Sequence, residues 1–374
     1  MNFELGEDQK LFENSLSRFL EDRAPAATPE ANAGDAAQFW RELCEIGVLG
    51  ALLDEEQGGF GGHSSYLIVI FEALGRAGVV APVLEHGLVA VRLLANLGST
   101  AQHDVLSQAI AGKTRVAFVH DEPDSRYDPL HVTLRSNGGV DGNTCITGRK
   151  SLVIDAKEAN WLIVSVRDEG HADARDGLSL YLVPADTPGV EIRQYETISG
   201  GTAAEINFDR VAVSEEHLLG AAGSAGAAIE AVIAAAIAAQ CAQTLGAMET
   251  AMEMTAEYLK TRKQFGRPLA TFLVLALRFA DLLIEMEQAR SAVINAVGHL
   301  DANETMRDRH VSAAKNLIGR IGRQVAEECI QMHGGIAMTQ EYALSSYAKQ
   351  IVMADHRYGD CDYHLERFID LTAE

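Results

Sequence analysis

Apolar side chains recur with a helical period at both ends of the chain and with strand-like patterning between them. Phe12, Leu16, Phe19 and Leu20 fall at the three- and four-residue spacings of one buried helix face. A second apolar stretch, Phe39 to Leu53, ends in the turn-rich run EEQGGFGGHSS at residues 55–65. A third, Tyr66 to Ala77, carries Glu72 and Arg76 one helical turn apart, and Pro82 breaks the next. From about residue 115 to 215 the segments become short and β-rich: His131–Arg135, Thr144–Thr147, Trp161–Arg167, Leu178–Val183 and Ala203–Phe208. Asn137-Gly138-Gly139, Asp141-Gly142, Asp176-Gly177 and Pro188-Gly189 supply the turns, which predicts a small antiparallel sheet or barrel. From about Ala221 the helical period returns. Leu273, Ala276, Leu277, Ala280 and Ile284 make one continuous stripe, as expected of a helical bundle that packs on itself or on another subunit.

Composition narrows the function classes. The 374 residues exceed what one core usually holds, so two or three packed units are expected. Hydrophobic residues make up 47% and charged residues 22%, which excludes a largely disordered chain. Lys and Arg number 31 against 53 Asp and Glu, a formal charge of −22, so neither nucleic acid nor an anionic membrane is expected as a partner. Five widely spaced cysteines (Cys44, Cys145, Cys241, Cys329, Cys361) form no CxxC pair and fit a reducing cytosol. The histidines show no ligand spacing; His356 and His364 read as structural, and no metal is expected. The opening MNFELGEDQK lacks the features of a signal peptide. The longest apolar run, Ala231 to Ala239, has nine residues, far short of the ~20 of a membrane span. A cytoplasmic protein is expected.

Two segments concentrate candidate chemistry. RKQFG, Arg262 to Gly266, is followed by Arg267 and Pro268, and its spacing supports two readings. One is a helix C-terminus whose Lys260, Arg262 and Lys263 complement the helix dipole. The other is a phosphate clamp, because arginine offers a planar fork to a pyrophosphate. QMHGG, Gln331 to Gly335, is either a helix ending at two glycines or backbone bared for close approach of a ligand. The glycines at 58, 59, 61 and 62 lack the strand-loop-helix context of a phosphate loop and predict a tight turn between helices.

Taken in order, the segments resemble the acyl-CoA dehydrogenases. MNFELGEDQKLFENSLSRFLED resembles the family's opening helix, and ELCEIGVLGALLDEEQGGFGG followed by IFEALGRAG resembles its next segment. DGNTCITGRKSLVIDAKEANWLIVSVR and LSLYLVPADTPGVEI resemble the central β-domain, and EYLKTRKQFGRPL and QMHGGIAMTQEYAL the two diagnostic C-terminal motifs. The resemblance implies an α+β fold: an N-terminal helical domain over 1–114, a middle β-barrel or sheet domain over 115–220, and a C-terminal four-helix bundle over 221–374. It implies FAD as cofactor, an acyl-CoA thioester as substrate and electron-transfer flavoprotein as acceptor. It assigns Arg262, Gln264, Phe265, Gln331, Gly334 and Gly335 to the adenosine-pyrophosphate end of an FAD seated mainly on a neighbouring subunit. SRYD and YGDCDYHLER resemble the smaller subunit of two-subunit enzymes similar to pimeloyl-CoA dehydrogenase, which implies a paralogous partner chain.

The departures from the family pattern are also informative. Its Thr-Glu-Pro-Gly-x-Gly-Ser-Asp stretch is VHDEPDSRYD here, residues 119–128, without the glycines. Its Lys-x-Trp-Ile-Thr-Asn stretch is KSLVIDA, residues 150–156, with Leu152 for Trp and Ile154 for Thr, which removes a hydroxyl able to hydrogen-bond the flavin. Acyl-CoA α,β-dehydrogenation needs a carboxylate to take the α-proton while the β-hydrogen leaves as hydride. The family carries that glutamate in a Tyr-Glu-Gly-Thr segment, which is HRYGDCDYH here. Aligned on the glycine its place is Tyr358; aligned on the tyrosine it is Gly359; the family's alternative place falls at about Ala236. Asp360 and Asp362 are nearby candidates for a displaced base, against a reading as a capped, solvated helix start. Cys361, without a positioned histidine, reads as inert. The expected function is one subunit of an α2β2 acyl-CoA dehydrogenase whose partner supplies the base and ring pocket. A self-sufficient homotetramer using Asp360 or Asp362, a non-catalytic scaffold of an enzymatic paralogue, and a flavin oxidase of the same fold acting on a small molecule without CoA are the alternatives.

Overall fold

The computed structural model describes residues 5–24, 36–62, 64–138 and 144–373. Helices α1 (Glu7–Arg23), α2 (Ala36–Glu45), α3 (Val48–Ala51) and α4 (Ser65–Arg76) open the chain. A π-helical stretch, Val83–Ala90, then runs directly into α5 (Val91–Leu97), and α6 (His103–Ile110) ends the first unit. Leu16 and Leu20 are buried from α1, with Phe12 and Phe19 half-buried against the same core. After α3 the chain doubles back on itself. A Cβ at Gly59 would sit 2.3 Å from the Leu53 carbonyl oxygen, and one at Gly61 2.1 Å from that of Ala51, so this is the tight turn the glycines predict.

Strands β1 (Val116–Val119), β2 (Arg135–Gly138), β3 (Thr144–Ile154), β4 (Trp161–Arg167), β5 (Leu178–Pro184), β6 (Val190–Glu196), β7 (Thr202–Val213) and β8 (Leu218–Leu219) form one sheet. Its order is β6-β7-β3-β2-β4-β5-β8, with β1 added to β4 in parallel. The strand predicted over His131–Arg135 begins only at Arg135. The reason lies in Glu122, whose carboxylate accepts from the backbone N–H of Thr133 (2.8 Å) and Leu134 (3.0 Å), donors a ladder would otherwise use. The turn at Gly139 and Asp141-Gly142 lies outside the described residues. Strands β1 and β6 were not expected: β1 is four residues long, and β6 is a largely exposed edge.

Five helices follow: α7 (Gly226–Thr261), α8 (Leu273–Gly298), α9 (Glu304–His333), α10 (Leu344–Asp355) and α11 (Cys361–Ala373). Helix α7 contains an 18-residue window apolar enough to cross a membrane, but 83% of that window is buried inside the protein, so it serves as the core helix. Its first turns pack on the first unit and the sheet through Ile229, Val232 and Ala236, and its middle packs on α4 and α9. Two glycines let α4 and α7 touch: a Cβ on Gly75 would lie 1.9 Å from the Gln243 carbonyl oxygen, and one on Gly246 2.1 Å from that of Glu72. Beside this crossing Arg76 pairs with Glu249 at 2.6 Å, and Arg290 reaches both Glu72 and Glu249. This is the fold the resemblance implies, helical units flanking a sheet.

Candidate functional site

Helix α7 ends at Thr261, and Arg262 turns the chain into extended backbone. Arg262 is the C-cap of α7, its N–H donating to the Tyr258 carbonyl at 2.8 Å, so the helix-end reading holds there. Lys263–Gln264 (β9) then pairs antiparallel with Arg267–Pro268 (β10), so the rest of RKQFG forms a hairpin. The tip residues Phe265 (φ 54°) and Gly266 (φ 80°) are both left-handed, the pair of positive φ values that type I′ hairpin turns use. Phenylalanine rarely adopts that backbone. Here it holds the ring 90% exposed, edge-on to Phe272. Arg267 lies over the Phe272 ring at 4.1 Å. Arg262 and Lys263 are exposed and form no ion pair among the described residues.

Helix α9 ends at the second motif. Gly334 takes φ 70° and ψ −150°, a conformation essentially restricted to glycine. Gly335 differs, since its φ lies outside the left-handed region and an added Cβ would meet nothing within 4 Å. Nothing among the described residues requires it to be glycine. Gln331, Gly334 and Gly335 are all exposed. Tyr258, one turn before the end of α7, stacks on His333 at 4.4 Å and brings the two motifs to one end of the bundle. Burial lowers the His333 pKa, so the neutral ring donates from Nδ1 to the Cys329 carbonyl (2.8 Å) and accepts at Nε2 from the Tyr342 hydroxyl (3.1 Å).

The second candidate region is the cleft between sheet and bundle. Among its walls are Phe118, His120, Leu152, Ile154, Ile233 and Tyr358, and they leave a cavity of only about 40 Å³. At the ~10–15 Å³ a water requires, that is room for about three waters. An ion pair between Arg357 and Glu85 crosses it, with the guanidinium 5.1 Å from the centre of the Tyr358 ring. Burial alone would lower the Arg357 pKa; the Glu85 carboxylate outweighs it and raises the value, so the guanidinium stays charged. Leu152 (φ 51°) and Tyr358 (φ 56°) both hold left-handed backbone at this cleft. Ile154 offers it no hydroxyl.

The turn from α10 to α11 is tied down on several sides. The buried Lys315 ammonium donates to the carbonyls of Ala354 and Asp355 at the end of α10. His364, pushed down to about 4 by burial, donates from Nε2 to the Tyr358 carbonyl at 2.9 Å. At Gly359 (φ 108°) a Cβ would sit 2.5 Å from the Tyr363 ring, so no side chain fits there. Asp360 accepts from the Tyr363 backbone N–H at 2.9 Å, a helix-start contact, and Asp362 is exposed in the first turn of α11. Neither lines the 40 Å³ cavity. Ala236 is fully buried in the core. Cys361 is buried beside Asp355, and burial pushes its thiol up to about 12, which leaves it unreactive.

Residues 119–128 are bound into the sheet's own polar network. Lys150, fully buried, donates to Glu122 (2.8 Å), to the Ser165 hydroxyl (2.9 Å) and to the His120 carbonyl (2.9 Å). Burial lowers the Lys150 pKa to about 8 against the opposing pull of Glu122. Glu85 and Arg357 were not singled out from the sequence. The available signal was a lone acid in the apolar run VLEHGLVA after Pro82, since an acid buried among apolar residues needs a partner.

The family's N-terminal, middle and C-terminal domain signatures match residues 6–113, 117–211 and 226–366, in that order. The chain belongs to the acyl-CoA dehydrogenase family. These are FAD-dependent oxidoreductases, and the cofactor is FAD. A probable acyl-CoA dehydrogenase, YngJ, of Bacillus subtilis is 26% identical over 354 residues, 92% of each chain. The structure of a variant of the Tcur3481-Tcur3483 steroid ACAD is similar at 28% identity and a TM-score of 0.85, covering 99% of both chains. PigA with FAD and proline shares the fold at 23% identity and a TM-score of 0.91, covering 100% of this chain and 99% of that one.

The two regions fit FAD unequally. The exposed hairpin and the bare glycines fit the end of a nucleotide cofactor, since unpaired cations and open backbone meet phosphates well. The 40 Å³ cavity does not fit a three-ring flavin.

Proposed function

We propose that this chain is one subunit of a hetero-oligomeric acyl-CoA dehydrogenase that introduces a double bond between Cα and Cβ of an acyl-CoA thioester. Its own contribution is to complete the FAD site of a paralogous partner, which supplies the catalytic carboxylate and the pocket for the flavin ring. The observation that carries this reading is a contrast within one chain. Phe265 stands 90% exposed beside unpaired Arg262, while the compartment beside Tyr358 in the chain's own cleft holds only about 40 Å³.

Arg262 would grip the pyrophosphate, Gln264 would hydrogen-bond it, and Phe265 would pack on the nucleotide. Gln331, Gly334 and Gly335 would let the cofactor approach the end of α9. The exposed stripe of Leu273, Leu277 and Ile284 on α8 supports a subunit contact next to the hairpin. The two-part name of the 28%-identical steroid enzyme also supports a two-chain assembly. Electrons would pass to an electron-transfer flavoprotein in the cytoplasm.

The test is Arg262→Ala in this chain, co-purified with its paralogue. Because Arg262 is exposed, the complex is expected to assemble and to lose both its bound flavin and its activity. Flavin content and activity equal to those of the wild-type complex would contradict the reading.

A further inference from the structure

We propose that Glu85, Arg357 and Tyr358 form a plug that excludes the flavin ring and the acyl thioester from this chain's own cleft. The proposal rests on the half-site reading above and names the residues that enforce it.

Three observations converge on these side chains. The first is position. Arg357 and Tyr358 occupy the turn where the family carries its base, and Glu85 comes from the opposite wall, on the π-helical stretch Val83–Ala90. Such π-helical irregularities are frequent at functional sites. The pair spans the cleft.

The second is the way the void is divided. Glu85 and Arg357 stand between the 40 Å³ cavity and a larger one of about 260 Å³, bordered by Val80, Pro82, Gln240 and Gln350, and they line both. Tyr358 stands between the 40 Å³ cavity and a smaller one of about 20 Å³ under Tyr127 and Tyr363. Glu85, Arg357 and Tyr358, together with Leu152, Ile154 and Ile233, therefore divide the cleft into three compartments. The largest has an unpartnered polar atom in its wall, the Gln240 Oε1 oxygen, so the space beyond the plug is built with hydrogen-bonding capacity that this chain leaves unused.

The third is the chemistry of the plug. Glu85 is the one charged residue of Val83–Ala90, and only its pairing with Arg357 makes an acid there tolerable. Arg357 is held from two sides, by the Glu85 carboxylate and by the ring and hydroxyl of Tyr358. Tyr358 is pinned in a left-handed conformation through its carbonyl, which His364 holds. A ring entering the cleft would have to displace this charged pair, whose side chains are only 13% (Glu85) and 28% (Arg357) exposed.

The test uses the full-length chain purified alone and riboflavin as the probe, which carries the ring without the pyrophosphate. Binding is read as quenching of riboflavin fluorescence. The wild-type chain is expected to give no saturable quenching. The double variant Glu85→Ala/Arg357→Ala removes the pair without stranding one charge, and is expected to bind at least tenfold more tightly than wild type. Tyr358→Ala leaves both charges in place, opens the cleft from the other side and serves if the double variant does not fold. The plug is overturned if a folded variant, double or single, quenches no more than wild type; the half-site reading would survive that result. Saturable, stoichiometric binding by the wild-type chain would instead overturn the half-site reading, and the plug with it.

Discussion

Tyr258 stacks on His333 with ring centroids 4.4 Å apart, and this contact joins the end of α7 to the end of α9. The two motifs that present candidate cofactor contacts thus share one support. Tyr258→Ala should lower stability by about 1 kcal/mol, the usual worth of an aromatic pair. It should also reduce flavin retention in the complex, because both motifs lose their common anchor. Tyr258→Phe keeps the stack and should retain both properties. Thermal denaturation and visible absorbance of the two variants check this; full flavin retention in Tyr258→Ala would contradict it.

Gly335 and Gly334 should respond differently to the same substitution. Gly335→Val introduces a side chain into open space and should leave the melting temperature of the isolated chain unchanged. In the complex it should displace flavin. Gly334→Val forces a side chain onto φ 70° and ψ −150° and should cost about 1–3 kcal/mol in the isolated chain as well. Equal melting curves for the two variants would show that the backbone at Gly334 is not under the constraint described.

The crossing of α4 and α7 makes a prediction independent of any ligand. Gly246→Ala places a methyl 2.1 Å from the Glu72 carbonyl oxygen, so the helices must move apart. Overpacking of this kind typically costs about 1–3 kcal/mol. Urea denaturation of the isolated chain measures it, and an unchanged midpoint would contradict the close approach.

Burial depresses His86 to about 4, His364 to about 4 and His120 to about 3, and also lowers His333 and His310. Neutral His86 accepts at Nδ1 from the Val116 backbone N–H at 2.8 Å, tying the first helical unit to β1. An unfolded histidine titrates near ~6.5, so below that pH the unfolded chain binds more protons than the native one. The stability is fully present above pH ~6.5 and is lost as pH falls toward the native pKa values, at about 1.4 kcal/mol per pH unit for each histidine. The urea midpoint should therefore fall between pH 6.5 and 5, and His86→Gln should flatten that dependence while lowering the midpoint at pH 7. A slope unchanged in His86→Gln would mean that this ring is not kept neutral.

The order of helices, sheet and helices was legible because the hydrophobic period itself changes near residues 115 and 215. Strand Trp161–Arg167 was read with the bounds it has. Val116–Val119 was not read because its run of four apolar residues shows no alternation. Val190–Glu196 was not read because its alternation, Val190-Glu191-Ile192-Arg193, lasts only four residues before three more polar or exposed positions. The hairpin at RKQFG was also hidden. Its shape depends on a left-handed phenylalanine, which no residue preference predicts. The Glu85–Arg357 pair joins positions 272 residues apart, a separation at which periodicity and motif spacing carry no information. Its only trace was one acid in an apolar run. Contiguous motifs can be singled out as candidates from sequence alone; a pair made by folding distant residues together cannot.

The most direct measurement is the ratio of flavin to protein, by visible absorbance, for this chain purified alone and after co-expression with its paralogue. The account predicts little or no flavin in the chain alone, and about one flavin per pair of chains in the complex. One flavin per chain in the protein alone would contradict it, and would turn attention to Asp360 and Asp362 as candidates for the base.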